Sequence, residues 1–166
     1  MKKIFCLIIL LSFLSYKTHS QEFELKNPNI EKLKQQVKTD FKNEGIYYYL
    51  INNYNPISEL YEKEFYEWEK ESICSFKRDF ENNIKYYVYQ CKEAGGISVT
   101  VEFPKMSRIR IMNWIEQMYE IDKMDIDENI WKENNSKFEP SEINPGCYYK
   151  ILETEKNTIV DLYCGC

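Results

Sequence analysis

Apolar positions along this chain change their period twice. In "NPNIEKLKQQVKTDFKNEG", Ile30, Leu33, Val37 and Phe41 recur at steps of three and four, which places them on one side of an α-helix. Asn27 suits the N-cap, Pro28 the first helical position and Gly45 the stop. "NPISELYEKEFYEWEKES" repeats the start signal at Asn55 and Pro56, so a second helix is expected there. Its stripe would be Ile57, Leu60, Tyr61, Phe65 and Trp68, with Glu59, Glu62, Lys63, Glu67 and Lys70 on the solvated side.

From Ile73 the period falls to two. "ICSFKRDF", "IKYYVYQC" and "ISVTVEF" alternate, are rich in aromatic and β-branched residues, and are joined by "ENN" and "KEAGG". Helical spacing returns in "SRIRIMNWIEQMYEID", with Ile111, Ile115, Met118 and Tyr119 on the buried side, although "RIRI" also fits an extension of the preceding strand. Residues 122–145 are acidic and irregular, with room for a short strand near Trp131. "CYYKILETEKNTIVDLYC" closes the chain as a hairpin. The expected fold is α+β, an antiparallel sheet of hairpins with about five strands packed against two or three helices. Hairpins 84–103 and 147–164 share one pattern, which raises a duplicated α-plus-hairpin unit as an option.

Strand register then bears on the cysteines. With Asn82 and Asn83 as the two central residues of a tight turn, Cys74 falls opposite Cys91 at a non-hydrogen-bonded pair. A three-residue Ala94-Gly95-Gly96 loop puts Val99, Val101 and Phe103 on the same face as Phe76, Phe80, Tyr87, Tyr89 and Cys91. Ser75, Lys77, Gln90, Ser98, Thr100 and Glu102 are then expected outside, and Arg78 breaks the inner pattern. In the last hairpin a four-residue loop from Thr154 to Asn157 opposes Cys147 to Cys164, whereas a Lys156-Asn157 turn opposes Cys147 to Cys166. The first pairing is preferred because side chains point together at a non-hydrogen-bonded pair. Cys166 is left over as a free thiol, an alternative partner for Cys147, or a link to a second copy in a dimer.

The N-terminus gives these thiols a compartment. Lys2 and Lys3 precede an apolar run from Ile4 to Leu14, and small residues Thr18 and Ser20 suit cleavage before Gln21. Residues 1–20 read as a cleaved signal peptide and 21–166 as a single α+β domain, exported to the periplasm or medium, where disulfides persist. The run is too short to remain as a membrane span, which needs about 20 apolar residues.

Charge and composition exclude more than they assign. The leader holds Lys2, Lys3 and Lys17 and no acid, so its loss moves the formal charge from −5 to −8. So acidic a chain has no electrostatic footprint for nucleic acid or anionic lipid. The one histidine, His19, lies in the leader, so the exported chain lacks histidine for a catalytic triad, a Cys-His dyad or a metal site. "DIDENI" spaces Asp125, Asp127 and Asn129 like the opening of a calcium loop, but Ile130 and Ser136 stand where glycine and glutamate are required. No cofactor is expected. The reading is a small, disulfide-braced, non-catalytic domain that binds or inhibits a protein partner by surface complementarity. The alternative is a small secreted enzyme using carboxylates or a thiol.

Overall fold

The computed structural model describes residues 23–39, 45–92, 95–121, 128–141 and 146–165. The leader, Cys166, Phe41, Asp125 and Asp127 lie outside them. Among the described residues three helices, α1 (Ile30–Thr39), α2 (Gly45–Asn53) and α3 (Arg108–Tyr119), accompany eight strands. The strands are β1 (Tyr61–Phe65), β2 (Ile73–Phe80), β3 (Ile84–Tyr89), β4 (Ile97–Pro104), β5 (Asn129–Lys132), β6 (Lys137–Pro140), β7 (Gly146–Glu153) and β8 (Asn157–Gly165). All eight join one antiparallel sheet in the order β1-β2-β3-β4-β8-β7-β6-β5.

The sheet is therefore two four-strand meanders, each running inward to its last strand, with β4 and β8 paired at the seam. Hairpins β3–β4 and β7–β8, whose patterns resemble each other in sequence, hold equivalent places in the two meanders. Helix α3 carries the chain from one meander toward the other.

The count of about five strands is too low. The additional ones are β1, β5 and β6. Residues 55–72 do not form a helix: β1 pairs with β2, Tyr61 opposite Lys77 and Phe65 opposite Ile73. Tyr61 and Phe65, four residues apart, fit a two-residue period as well as a helical stripe, and joining a sheet edge decided between them. Ile57, Phe65 and Trp68, expected in the core, are exposed. Strand β5 contains Trp131, where the acidic stretch left room for a short strand, and β6 adds a second strand in the part expected to be irregular. They are joined by a turn with Glu133, Asn134 and Asn135 at positive φ.

The helices also shift. Asn29, not Asn27, caps α1: its Oδ1 accepts from the Lys32 N–H at 3.1 Å, and its carbonyl accepts from the Leu33 N–H at 3.0 Å. Gly45 starts α2 instead of ending α1. Helix α2, "GIYYYLINN", escaped the pattern reading because it has no polar side; Gly45 through Leu50 are all buried. The "RIRI" segment is helical, and Trp114 joins Ile111, Ile115, Met118 and Tyr119 among the buried residues of α3.

One face of the sheet is the core face. Tyr47 of α2 meets Phe76 and Tyr86 at ring-centroid distances of 5.4 and 5.3 Å, and Trp114 of α3 meets Phe103 at 5.3 Å. Tyr119 meets Phe138 at 5.5 Å, and α1 adds Leu33. From the sheet come Phe80, Ile84, Val88, Val99, Val101, Tyr149, Ile151, Val160 and Leu162.

The expected β2–β3 register is off by one residue. Phe80 pairs with Ile84, so the turn is the three residues Glu81–Asn83, with Asn82 and Asn83 at φ 61° and 58°. Asparagine tolerates that region, and the added residue reverses the facing of β3. Ile84, Tyr86 and Val88 point into the core, while Tyr87 and Tyr89 lie on the other face. The β3–β4 connection is also longer than three residues, because the ladder's last pair is Tyr89 with Ser98. Gly96 sits there at φ +71°, where a Cβ would stand 2.3 Å from the Cys164 carbonyl oxygen. Ser75, expected outside, is buried. In the last hairpin Glu153 pairs with Thr158, leaving the four-residue loop Thr154–Asn157, whose Thr154 N–H donates to the Asn157 carbonyl at 2.9 Å.

Candidate functional site

Among the described residues two disulfides brace the sheet, Cys74 to Cys91 and Cys147 to Cys164, with Cα separations of 4.8 and 4.1 Å. Cys147 and Cys164 are directly opposed across β7 and β8. Cys74 instead has Gln90 as its neighbour, the Gln90 N–H donating to the Cys74 carbonyl at 2.8 Å. Cys91 lies beyond the end of β3, where strand alternation no longer fixes its direction, and it reaches Cys74 diagonally. These four cysteines are paired with one another as cross-links within the sheet.

Arg78 lies on the core face, paired in register with Tyr86, and is half-buried. Its Nη1 donates to the Tyr47 hydroxyl at 2.7 Å, while its buried Nε has no partner among the described residues. Asn129, the part of the calcium-like spacing within the described residues, is buried in β5 and donates from Nδ2 to the Cys147 carbonyl at 3.1 Å. That bond makes it a structural residue. Among the described residues no three acidic or sulfur side chains group to hold a metal.

The opposite face of the sheet carries the polar and aromatic positions left by alternation. Register aligns one row across all eight strands: Tyr61, Lys77, Tyr87, Thr100, Asp161, Lys150, Lys137 and Lys132. Beside it runs another row containing Tyr89, Ser98, Tyr163 and Tyr148. Two shallow hollows flank β4 on this face and share Thr100. One, about 360 Å³, is lined by Tyr61, Lys77, Asp79, Lys85, Tyr87 and Glu102 among others. The other, about 420 Å³, is lined by Ser98, Lys137, Tyr148, Lys150, Asp161 and Tyr163 among others.

Charges on this face are largely matched in place. Asp79 accepts from the Tyr61 hydroxyl at 3.0 Å, and Asp161 accepts from the Thr100 hydroxyl at 2.8 Å. Lys85 pairs with Glu102 at 3.3 Å, Lys132 with Glu139 at 3.4 Å and Lys137 with Glu133 at 3.0 Å. Lys77 bonds to Glu62 and lies 5.5 Å from the centre of the Tyr87 ring. The Glu62 hydrogen bond holds the Lys77 ammonium above its ordinary range, and Glu133 does the same for Lys137. Burial, followed by the bond to Asp79, pushes the Tyr61 hydroxyl up. Lys150 has no ion-pair partner among the described residues.

Sequence reasoning assigned Tyr87 and Tyr89 to the core, and so missed half of this tyrosine set. Tyr148 and Tyr163 were accessible to it, since alternation from Cys147 and Cys164 sends both outward. Fold and surface together define a helix-backed antiparallel sheet with an open, tyrosine-bearing face. No protein-family model, curated protein or solved structure matches the chain.

Proposed function

We propose that the protein is a small exported, non-catalytic binding domain that engages a protein partner through the open face of its sheet. The observation that carries this reading is the face itself. Described helix residues pack on the other side, leaving Tyr87 and Tyr89 of β3, Tyr163 of β8 and Tyr148 of β7 in two adjacent rows on the opposite face. Tyrosine offers a large rigid contact area and a hydroxyl at little conformational cost, which suits recognition by complementarity. Acids and lysines already matched to one another hold that surface in one shape and add specificity through position rather than net charge.

Two disulfides support export to an oxidising compartment, the periplasm or the medium. No helix among the described residues is long and apolar enough to cross a membrane.

The test is affinity capture from the exported fraction of the source cells, using the wild-type chain and a Tyr87→Ala/Tyr163→Ala variant of matched melting temperature. A protein retained by the wild type and lost by the variant is the expected result. Equal capture by both would remove the sheet face from the reading. Turnover of a substrate by the wild-type chain, lost on removing Asp79 or Asp161, would replace binding with catalysis.

A further inference from the structure

The end of β1 and the turn that follows it display large apolar side chains that the fold does not use. Phe65 is 47% exposed and Trp68 57%. The Trp68 ring lies against Tyr66, with centroids 4.6 Å apart and planes inclined at 35°. Backbone bonds fix this turn: the Tyr66 N–H donates to the Ser72 carbonyl at 3.2 Å and the Ser72 N–H to the Glu69 carbonyl at 3.0 Å. Around it Glu64, Glu67, Glu69 and Glu71 are exposed and outnumber Lys63 and Lys70. None of these six makes an ion pair among the described residues, unlike the matched charges of the sheet face. The corner thus joins an exposed aromatic pair to an unbalanced negative field.

Two occupants fit poorly. An added strand needs a regular edge, but Glu62 has φ 49° and the β1–β2 register slips between Tyr61 and Glu64 and again before Phe65. A second copy of the same corner would bring like charges together. The complement of this surface is a basic segment with apolar side chains.

We propose that this corner docks a basic segment of a protein partner whose lysines or arginines pair with Glu64, Glu67, Glu69 and Glu71 while its apolar side chains cover Phe65 and Trp68. The proposal rests on the chain being a binding domain but uses a surface separate from the tyrosine face. Exposed Trp is the side chain most often found at the energetic centre of an interface, and acids around it raise the association rate for a basic partner.

The test is titration of the purified chain with three synthetic peptides of one length, alternating lysine–leucine, lysine–serine and glutamate–leucine. The lysine–leucine peptide should bind, and removing its apolar side chains or reversing its charge should weaken binding about ten-fold or more. A Phe65→Ala/Trp68→Ala variant should lose about the same factor with an unchanged melting temperature, because both side chains are exposed. Glu67→Gln/Glu69→Gln should weaken binding and flatten its dependence on salt. Equal affinity for the lysine–leucine and lysine–serine peptides, or unchanged affinity in the Phe65/Trp68 variant, overturns the proposal. A native partner that requires Tyr87 and Tyr163 but not Trp68 overturns this corner and leaves the binding reading standing.

Discussion

Tyr49 shows how one hydroxyl ties distant parts of the chain. It is fully buried in α2, donates to the Lys26 carbonyl at 2.7 Å and shares a bond with the Tyr54 hydroxyl at 3.2 Å. The Lys26 N–H in turn donates to the Tyr54 hydroxyl at 3.1 Å, so both backbone groups of Lys26 are pinned. Burial first, and Tyr54 second, raise the Tyr49 pKa well above the ordinary tyrosine value. A proton held more tightly by the folded state gives stability that is complete below the unfolded pKa near 10 and is lost as pH climbs above it. Replacing Tyr49 by Phe should cost about 1 kcal/mol near neutral pH, since it strips the Lys26 carbonyl of its donor. It should also make the urea midpoint fall less between about pH 8 and about pH 11 than in the wild type. Parallel midpoint curves for the two proteins would show that this hydroxyl does not couple stability to pH. Nothing in the sequence singles Tyr49 out, because the carbonyl it donates to is 23 residues away and on no shared period.

At the scale of elements, legibility followed the completeness of the local pattern. Strand β2 has the bounds its alternation suggests, and β8 is legible because Val160, Leu162 and Cys164 share a face opposite Cys147, Tyr149 and Ile151. Helix α2 was illegible because its first six residues are all buried, so that stretch lacks the polar stripe by which amphipathic helices are recognised. In β1 the sequence carries two periods at once, and only the edge of β2 selects between them. The β2–β3 turn shows how one residue inverts a prediction, since moving Glu81 from strand to turn sends Tyr87 and Tyr89 from core to surface. The disulfides have equal sequence separations of 17 residues, so loop closure assigns them similar stabilisation, about 3 kcal/mol each. Replacing Cys147 and Cys164 by Ser should therefore lower unfolding free energy by about as much as replacing Cys74 and Cys91, as read from denaturant curves. A difference of several kcal/mol would mean that local packing, not loop closure, dominates one of them.

For the whole molecule, the seam between β4 and β8 is the central relation, and it joins residues some sixty positions apart, Val101 opposite Val160 for example. Both strands are paired on both edges and contribute Val99, Val101, Phe103, Val160 and Leu162 to the core. Strands β1 and β5 are paired on one edge only. Amide hydrogen exchange should then be slowest in β4 and β8 and fastest in β1 and β5, because edge strands open without breaking the core. Equal protection at the edges and the seam, measured peptide by peptide, would contradict that order.

Connectivity of the cysteines adds a consequence for biogenesis. Each described cross-link joins neighbouring cysteines in chain order, one within each meander, and neither crosses the seam. The four thiols of these cross-links have three ways to pair among themselves, and this is the one obtained if each bonds to the next to emerge. A chain threaded N-terminus first into an oxidising compartment would close Cys74–Cys91 before Cys147 arrives. Vectorial delivery would lead straight to the native pairing, with no need for an isomerase to correct it.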